Sequence, residues 1–235
     1  MYGRLEVPFK WTSERNAITI RGFKGGLLYH RTTGAREVRK RIYSSRSELF
    51  ILPVEPFYCP KMITSNLMIE LTRNLVIPPR QVKKIYLKFP VEIGILAFRD
   101  NRMKIIDVFT ENPPNYALYG DIKEGVVCRY YSSDVHVKPP KGDPKTEGVM
   151  EVNVSNSTRA WREVSKLVFE GSIMKVFYSD SRVTTKARAS LIDDEKAETR
   201  FQDRTWIKGQ KRSQKLLTPG SFQKLSTKFT MEGGY

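Results

Sequence analysis

Short runs in which apolar and polar residues alternate recur along this chain and are separated by turn residues. Ala17–Arg21 and Lys83–Phe89 show the alternation, and Asp100-Asn101 is one of the turn signals. A period of two places successive side chains on opposite faces of a β-strand, and frequent turns favour pairing between neighbouring strands. The sequence therefore predicts an all-β, mainly antiparallel fold with little helix. We expect a β-sandwich or a barrel-like architecture, built as one unit or as two packed β units.

A segment rich in proline and glycine divides the chain into two parts. The 235 residues suffice for one large β domain or for two smaller ones. Residues 139–148 contain three prolines, two glycines and no large apolar side chain, which is typical of a linker or a long loop. We predict an N-terminal β domain at 1–138 and a C-terminal β unit at 149–235 with a basic end segment. The second part is either a smaller β unit or a second sheet packed on the first.

Positive charge dominates the composition, with 41 Lys and Arg against 25 Asp and Glu and a formal net charge of +16. A cationic surface attracts polyanions and speeds their association. The charge is densest in two clusters, Arg21–Arg46 and Arg204–Lys228, where aromatic residues lie between the cations. Proteins bind single-stranded RNA with cations for the phosphates and rings for the bases. The residues predicted to contact nucleic acid are Arg21, Lys24, Arg31, Arg36, Arg39, Lys40, Arg41, Arg204, Trp206, Lys208, Lys211, Arg212 and Lys215.

Aromatic stacking on bases is predicted for Tyr29, Tyr43, Trp206 and Phe222, which lie among these cations. The positive charge has two alternative roles that stay open. Lys and Arg can simply fill the solvent-exposed faces of strands, as in many thermophile proteins, and a cationic surface also suits anionic lipid headgroups. The lipid-binding role lacks the amphipathic helix or lipidation signal that usually accompanies it. The two clusters form one binding surface only if the fold brings them onto the same face.

Residues suited to metal binding are scattered singly. A structural zinc site needs four Cys or His ligands at defined spacings, whereas Cys59, Cys128, His30 and His136 form no such motif. Two buried free thiols are predicted, because a disulfide requires an oxidising compartment or a hyperthermophilic source. We expect no metal and no cofactor.

An enzymatic function requires acidic and basic groups that converge in one pocket. Glu92, Asp107 and His136 are the candidates, and no spacing rule connects them. Glu92 lies inside an apolar strand, where a buried carboxylate needs a partner such as an arginine. That role is structural, so the sequence predicts a protein that is not an enzyme.

The sequence contains no run of the roughly 18–20 apolar residues that span a bilayer. Its N-terminus also lacks the apolar core of a signal peptide. We therefore expect a cytoplasmic protein without membrane insertion. The oligomeric state stays open.

Several motifs are distinctive: Leu52–Pro56, Ile85–Gly94, Tyr116–Gly120, Gly125–Tyr131 and Lys228–Tyr235. Together they resemble an uncharacterised archaeal family, the domain of unknown function DUF432. The resemblance covers nearly the whole chain and implies that the last thirty residues belong to the fold. It also implies an archaeal source and supplies no catalytic residue. Family members linked to small mechanosensitive channels keep open a membrane protein as a partner.

These observations favour a non-enzymatic basic protein that binds nucleic acid, with RNA or the ribosome preferred, through phosphate contacts and aromatic stacking. Recognition of the major groove by a helix is not expected, since no helix-turn-helix, zinc finger or basic zipper is visible. The alternative is a soluble protein-interaction module or regulator, acting for example on a mechanosensitive-type membrane channel. That alternative predicts an exposed apolar patch or an unpaired strand edge.

Overall fold

The alternating runs form β-strands, as the sequence predicts. The computed structural model describes residues 1–44, 46–193, 196–217 and 228–230, and its only helical element there is a 3₁₀ helix at Gly171–Ile173. The strands in chain order are β1 (Gly3–Arg4), β2 (Phe9–Thr12), β3 (Asn16–Phe23), β4 (Gly26–Thr33), β5 (Arg36–Ile42), β6 (Glu48–Val54), β7 (Asn66–Ile77), β8 (Val82–Pro90), β9 (Glu92–Arg99), β10 (Arg102–Phe109), β11 (Asn115–Tyr119), β12 (Val126–Ser133), β13 (Glu147–Asn156), β14 (Arg162–Glu170), β15 (Phe177–Tyr178), β16 (Val183–Leu191), β17 (Lys196–Phe201), β18 (Lys211–Arg212) and β19 (Lys228–Thr230). The predicted all-β class is confirmed.

The described strands form four sheets, in which most neighbours are antiparallel. The N-terminal sheet has the order β2-β3-β4-β5, and the β9 sheet has the order β1-β6-β9-β10. The β7 sheet has the order β11-β12-β7-β14. The β13 sheet has the order β18-β15-β16-β13-β8, with β17 paired to β16 and to β19. Among the described strands, two pairs are parallel: β7 with β12, and β13 with β16.

One hydrophobic cluster receives side chains from all four sheets. Ile18 of the N-terminal sheet, Ile51 of the β9 sheet, Leu67 of the β7 sheet and Val152 of the β13 sheet are members with no exposed surface. Each side chain of this size stabilises the fold by about 1.5–3 kcal/mol when it is removed from water. The sheets are therefore held against one another by shared apolar burial.

Strand pairing crosses the proline-rich segment 139–148. Strand β13 begins at Glu147, within the last two residues of that segment, and pairs with β8 from Glu147 opposite Pro90 to Ser155 opposite Val82. Residues on both sides of the segment thus belong to one sheet. Whether 1–138 and 149–235 fold independently stays a prediction, and the structure connects them through this strand pair.

A two-residue turn joins β9 to β10. Asp100 and Asn101 have φ values of 49° and 59°, in the left-handed region that Asp and Asn tolerate better than most residues. The turn signal at these positions is confirmed. The turn sets Arg99 opposite Arg102, so the tip of this hairpin carries two arginines at the edge of the β9 sheet.

Cys59 and Cys128 are buried free thiols, as the sequence predicts. Among the residues that the structure describes, none belongs to a helix of the length and apolarity needed to cross a bilayer.

Candidate nucleic-acid interface

The N-terminal sheet divides the first basic cluster between its two faces. Ile18 and Ile20 are fully buried, and the strand register places Arg31 opposite Ile18 and Tyr29 opposite Ile20. Arg31 Nε donates to Asp107 Oδ2 at 2.6 Å, and the Tyr29 hydroxyl donates to the same oxygen at 2.7 Å. Both side chains point inward at β10, so the structure does not favour the predicted phosphate contact of Arg31 or the predicted base stacking of Tyr29.

Lys40 lies on the same inward side of the sheet, in register with Tyr29. Its Nζ donates to the backbone carbonyl of Ile106, although the residue is largely exposed. Because this ammonium group has an internal acceptor, Lys40 contributes less to the external surface than the sequence suggests.

The opposite face of the sheet carries the outward cations. Arg21 and Arg41 flank Leu28 across β3, β4 and β5, and Arg39 lies in the neighbouring row opposite His30. Glu37 accepts from Arg39 Nη2 at 2.7 Å and also contacts His30, so it offsets part of this charge. Lys24, in the β3–β4 turn, and Arg36, at the start of β5, are exposed as well.

The second basic cluster follows β17. Arg204, Lys208, Lys211 and Arg212 are exposed, whereas Lys215 is half-buried and donates through Nζ to the Ser172 carbonyl. Burial lowers the pKa of Lys215, and the positive charge of Lys175 lowers it further.

The predicted aromatic stackers differ in exposure. Trp206 is half-buried: its Nε1 donates to the Thr185 carbonyl at 3.1 Å and its ring centroid lies 5.2 Å from that of Tyr86. Tyr43 is 72% exposed and packs edge-on against Phe23. The remaining predicted stacker, Phe222, lies outside the described residues.

The two basic clusters meet in one cleft, which we call the arginine cleft. It has a volume of about 510 Å³ and is lined by Arg46 of the first cluster, Arg212 of the second and Arg99 from the tip of the β9–β10 hairpin. Phe50 and Phe98 also line it and pack edge to face with their centroids 5.2 Å apart. Cations and aromatic rings from distant parts of the sequence thus converge here.

A second cleft lies at the same hairpin tip. It has a volume of about 620 Å³, shares Arg99 and Asp100 with the arginine cleft, and adds Arg102 and Lys104. Sequence reasoning missed Arg99, Arg102 and Lys104 because they lie outside the two dense clusters. The available signal was the predicted turn at 100–101, which has a cation on each side.

The two clefts together are lined by five cations, Arg46, Arg99, Arg102, Lys104 and Arg212, and by two carboxylates, Glu48 and Asp100. Glu48 is paired with Arg4 at 2.9 Å, and Asp100 is paired with Arg99 at 3.3 Å. The lining therefore carries a net positive charge and includes hydrogen-bond donors suited to phosphate oxygens.

Glu92 of β9 and Arg129 of β12 form the centre of a buried ionisable group. The Glu92 carboxylate has no exposed surface and accepts hydrogen bonds from the backbone amides of Tyr58 at 2.7 Å and Cys59 at 3.1 Å. Burial raises the pKa of Glu92 to about 7, although the Tyr58 amide and the charge of Arg129 lower it. Arg129 is 2% exposed and lies over the Tyr116 ring at 5.8 Å. The arginine expected near this buried acid is therefore Arg129.

The remaining catalytic candidates also have structural partners. Asp107 is bonded to Arg31 and Tyr29, and the His136 backbone pairs with Tyr86 in β8. Burial raises the pKa of the Cys59 thiol, and the neighbouring Glu92 raises it further, so the thiol stays protonated. Within the described ranges, no three His, Cys, Asp or Glu residues are placed to hold a metal ion.

Comparison with known proteins gives one match. A family model described as "Protein of unknown function (DUF432)" matches residues 1–232. No curated protein and no solved structure matches the chain significantly. The matched span includes both sides of segment 139–148 and all residues that line the arginine cleft.

Proposed function

The chain belongs to the DUF432 family of proteins of unknown function, and from its surface we propose that it is a non-enzymatic protein that binds nucleic acid, with RNA or the ribosome preferred. The arginine cleft carries this proposal, because it is where cations of both basic clusters lie beside aromatic rings. Under this proposal the protein binds its partner in the cytoplasm. The family resemblance further implies that the cell is archaeal.

Guanidinium groups make this cleft suitable for RNA. An arginine can donate two parallel hydrogen bonds to a phosphate, and its planar face can stack on a base. Arg46, Arg99 and Arg212 supply three such groups around the Phe50–Phe98 pair. Bases stack on aromatic and guanidinium planes with little dependence on sequence. The cleft therefore favours a flexible single strand whose bases are unpaired.

The secondary structure also favours single-stranded RNA over a duplex, because a duplex is often recognised by an α-helix that enters its major groove. The described residues contain no α-helix that could enter a major groove. Contacts to the backbone and to base faces are what strands and loops of this kind provide.

Fluorescence anisotropy with a labelled single-stranded RNA tests the proposal. We expect log Kd to rise linearly with log salt concentration, with a slope of about 0.7 per phosphate contacted. The double variant Arg46→Gln/Arg99→Gln should weaken binding at least about tenfold at low salt and reduce the slope by about one unit or more. It leaves the ion pair of Arg212 with Asp203 intact.

The matched control is Lys123→Gln/Arg159→Gln, which removes the same charge from exposed positions outside both clefts. We expect it to change affinity less than about twofold, through the general field of the protein alone. Equal losses in the two double variants, or RNA affinity that is indifferent to salt, would contradict the proposal.

A separate observation favours the alternative of a protein-interaction module, including a soluble regulator of a mechanosensitive-type channel. Strand β11 forms one edge of the β7 sheet, and its Leu118 lies opposite Val127, with the two residues 46% and 44% exposed. Ile122, in the turn that follows, is 93% exposed. An apolar edge strand of this kind is a common docking surface. The measurement is the purified protein's absorbance at about 260 nm divided by that at about 280 nm, taken before and after a high-salt wash. A ratio that the wash leaves unchanged would favour this alternative over bound nucleic acid.

A further inference from the structure

Two arginines lie opposite each other on neighbouring strands of the β13 sheet. Strands β16 and β17 are antiparallel, and their register places Arg188 directly opposite Arg200. Both side chains are exposed, while Ala187 and Ala189 on the other face of β16 are fully buried. Like charges directly opposite on neighbouring strands destabilise a sheet. In the part of the chain that the structure describes, neither arginine has a carboxylate partner.

A third cation reaches the same place from a different element. Lys175 follows the 3₁₀ helix at Gly171–Ile173 and, with Arg188 and Arg200, lines a cleft of about 370 Å³. We call this cleft the phosphate pocket. Gln202 adds an amide that can donate or accept. Three positive charges thus converge on a space large enough for a small anion and the group attached to it.

Two acids among the described residues, Asp203 and Glu198, lie near the pocket, and neither forms an ion pair with Arg188 or Arg200. Asp203 lines the pocket but lies 3.3 Å from Arg212, which shares its charge. Glu198 lies two residues before Arg200 on the same face of β17, opposite Ser190 of β16. On the neighbouring strands, Arg188 lies opposite Asn153 of β13, and Asn153 lies opposite Lys84 of β8. Asn153 adds a neutral donor, and Lys84 adds a fourth cation.

Lys215 adds to the crowding of cations around Lys175. Lys215 is affected first by burial, which lowers its pKa, and then by Lys175, with Arg212 acting in the same direction. Glu55 and Glu170 oppose this effect without reversing it. A bound anion would reduce the repulsion that these groups exert on one another.

We propose that this pocket binds a phosphate group with two negative charges, either free or as a monoester at the end of a larger molecule. Two guanidinium groups can each take two phosphate oxygens, and the ammonium group of Lys175 can reach a third position as a point charge. Binding would convert a repulsive arginine pair into a stabilised one. The site is distinct from the arginine cleft, since it uses none of Arg46, Arg99 and Arg212.

Thermal unfolding in inorganic phosphate, compared with sodium chloride of equal ionic strength, tests the pocket. A ligand that binds only the folded state raises Tm, by about 3–6 °C at about tenfold above Kd for a chain of this size. Arg188→Gln/Arg200→Gln should lose this rise and keep an equal or higher Tm in phosphate-free buffer, because the repulsion is gone. The control Lys123→Gln/Arg159→Gln should keep the full rise.

The proposal is overturned if phosphate raises Tm no more than chloride does, or if the arginine variant keeps the full rise. Lys175→Gln gives an independent test from another element, which also serves should the double variant fail to fold. It should reduce the rise by at least about half, because one of three converging charges is lost.

Oligonucleotides distinguish the two sources of phosphate. In the Arg46→Gln/Arg99→Gln background, a 5′-phosphorylated strand that binds tighter than its 5′-hydroxyl form identifies a nucleotide end as the ligand. Equal binding of the two strands, with the phosphate-induced rise in Tm retained, identifies free phosphate or a small phosphorylated molecule. Since both readouts are taken with two of the three arginines of the arginine cleft removed, failure of RNA binding there leaves the pocket's result intact.

Discussion

Glu92 accepts two backbone hydrogen bonds from the segment after β6 and is close enough to Arg129 for that charge to favour its ionised form. The residues that face the carboxyl are therefore Tyr58, Cys59 and Arg129. Its position in an apolar strand was enough to predict a buried acid with a structural role. The partner itself could not be named from the sequence, because Arg129 lies on β12, in a different sheet.

The raised pKa of Glu92 predicts that stability depends on pH. Between its ordinary value of 4.5 and about 7, the folded protein holds a proton that the unfolded chain releases. The free energy of unfolding should therefore fall as pH rises through this window, by up to about 3 kcal/mol at ~1.4 kcal/mol per pKa unit. The contribution is complete below pH 4.5 and is lost above about pH 7.

Urea unfolding at a series of pH values measures this effect. Glu92→Gln replaces the titrating group with a neutral one of the same shape and should flatten the slope between about pH 5 and about pH 7. Glu6→Gln, at an exposed carboxyl, is the control and should keep the slope. If Glu92→Gln unfolds with the same pH dependence as the unaltered protein, another group carries it.

The alternation of side chains along each strand decides which residues of the N-terminal sheet face inward and which face outward. Alternation along β3 and β4 placed the strands correctly, and the same alternation puts Arg31 in phase with Tyr29 and opposite the apolar Ile18. Counting cations without regard to this phase assigned Arg31 to the solvent side. Hairpins are predictable from local turns such as Asp100-Asn101, whereas the parallel pairs of β7 with β12 and of β13 with β16 join distant segments.

The pairing of β13 with β8 predicts that the fragment 1–138 does not fold by itself. Removing β13 exposes the edge of β8 and uncovers Ile85, Leu87 and Phe89, which are buried. An apolar unpaired edge promotes aggregation. We expect the fragment to lack a cooperative thermal transition in circular dichroism.

The control for this fragment is the full chain cut at a protease site inserted at Gly142, which keeps β13 present. The cut chain should stay assembled on a sizing column and unfold cooperatively, because the strand pair crosses the cut. Cooperative unfolding of 1–138 alone would instead establish it as an independent domain.

The net charge of the whole molecule could be predicted from the sequence, whereas its distribution over the surface could be predicted only in part. The net charge of +16 follows from the sequence, and the two dense clusters are visible in it. Their meeting at Arg46 and Arg212 depends on strands that are far apart in the chain. Arg99, Arg188 and Arg200 were missed for the same reason: each is unremarkable along the sequence and becomes part of a cluster only through strand register.

The ion pair of Asp203 with Arg212 connects the two proposed sites. Arg212 lines the arginine cleft and Asp203 lines the phosphate pocket, 3.3 Å away. RNA that engages Arg212 would leave the charge of Asp203 unshared beside the pocket, and linkage makes the effect equal in both directions. We expect negative cooperativity of about two- to fivefold, the range of an exposed ion pair. Titrating phosphate with and without RNA measures it, and Asp203→Asn should make the two sites independent of each other.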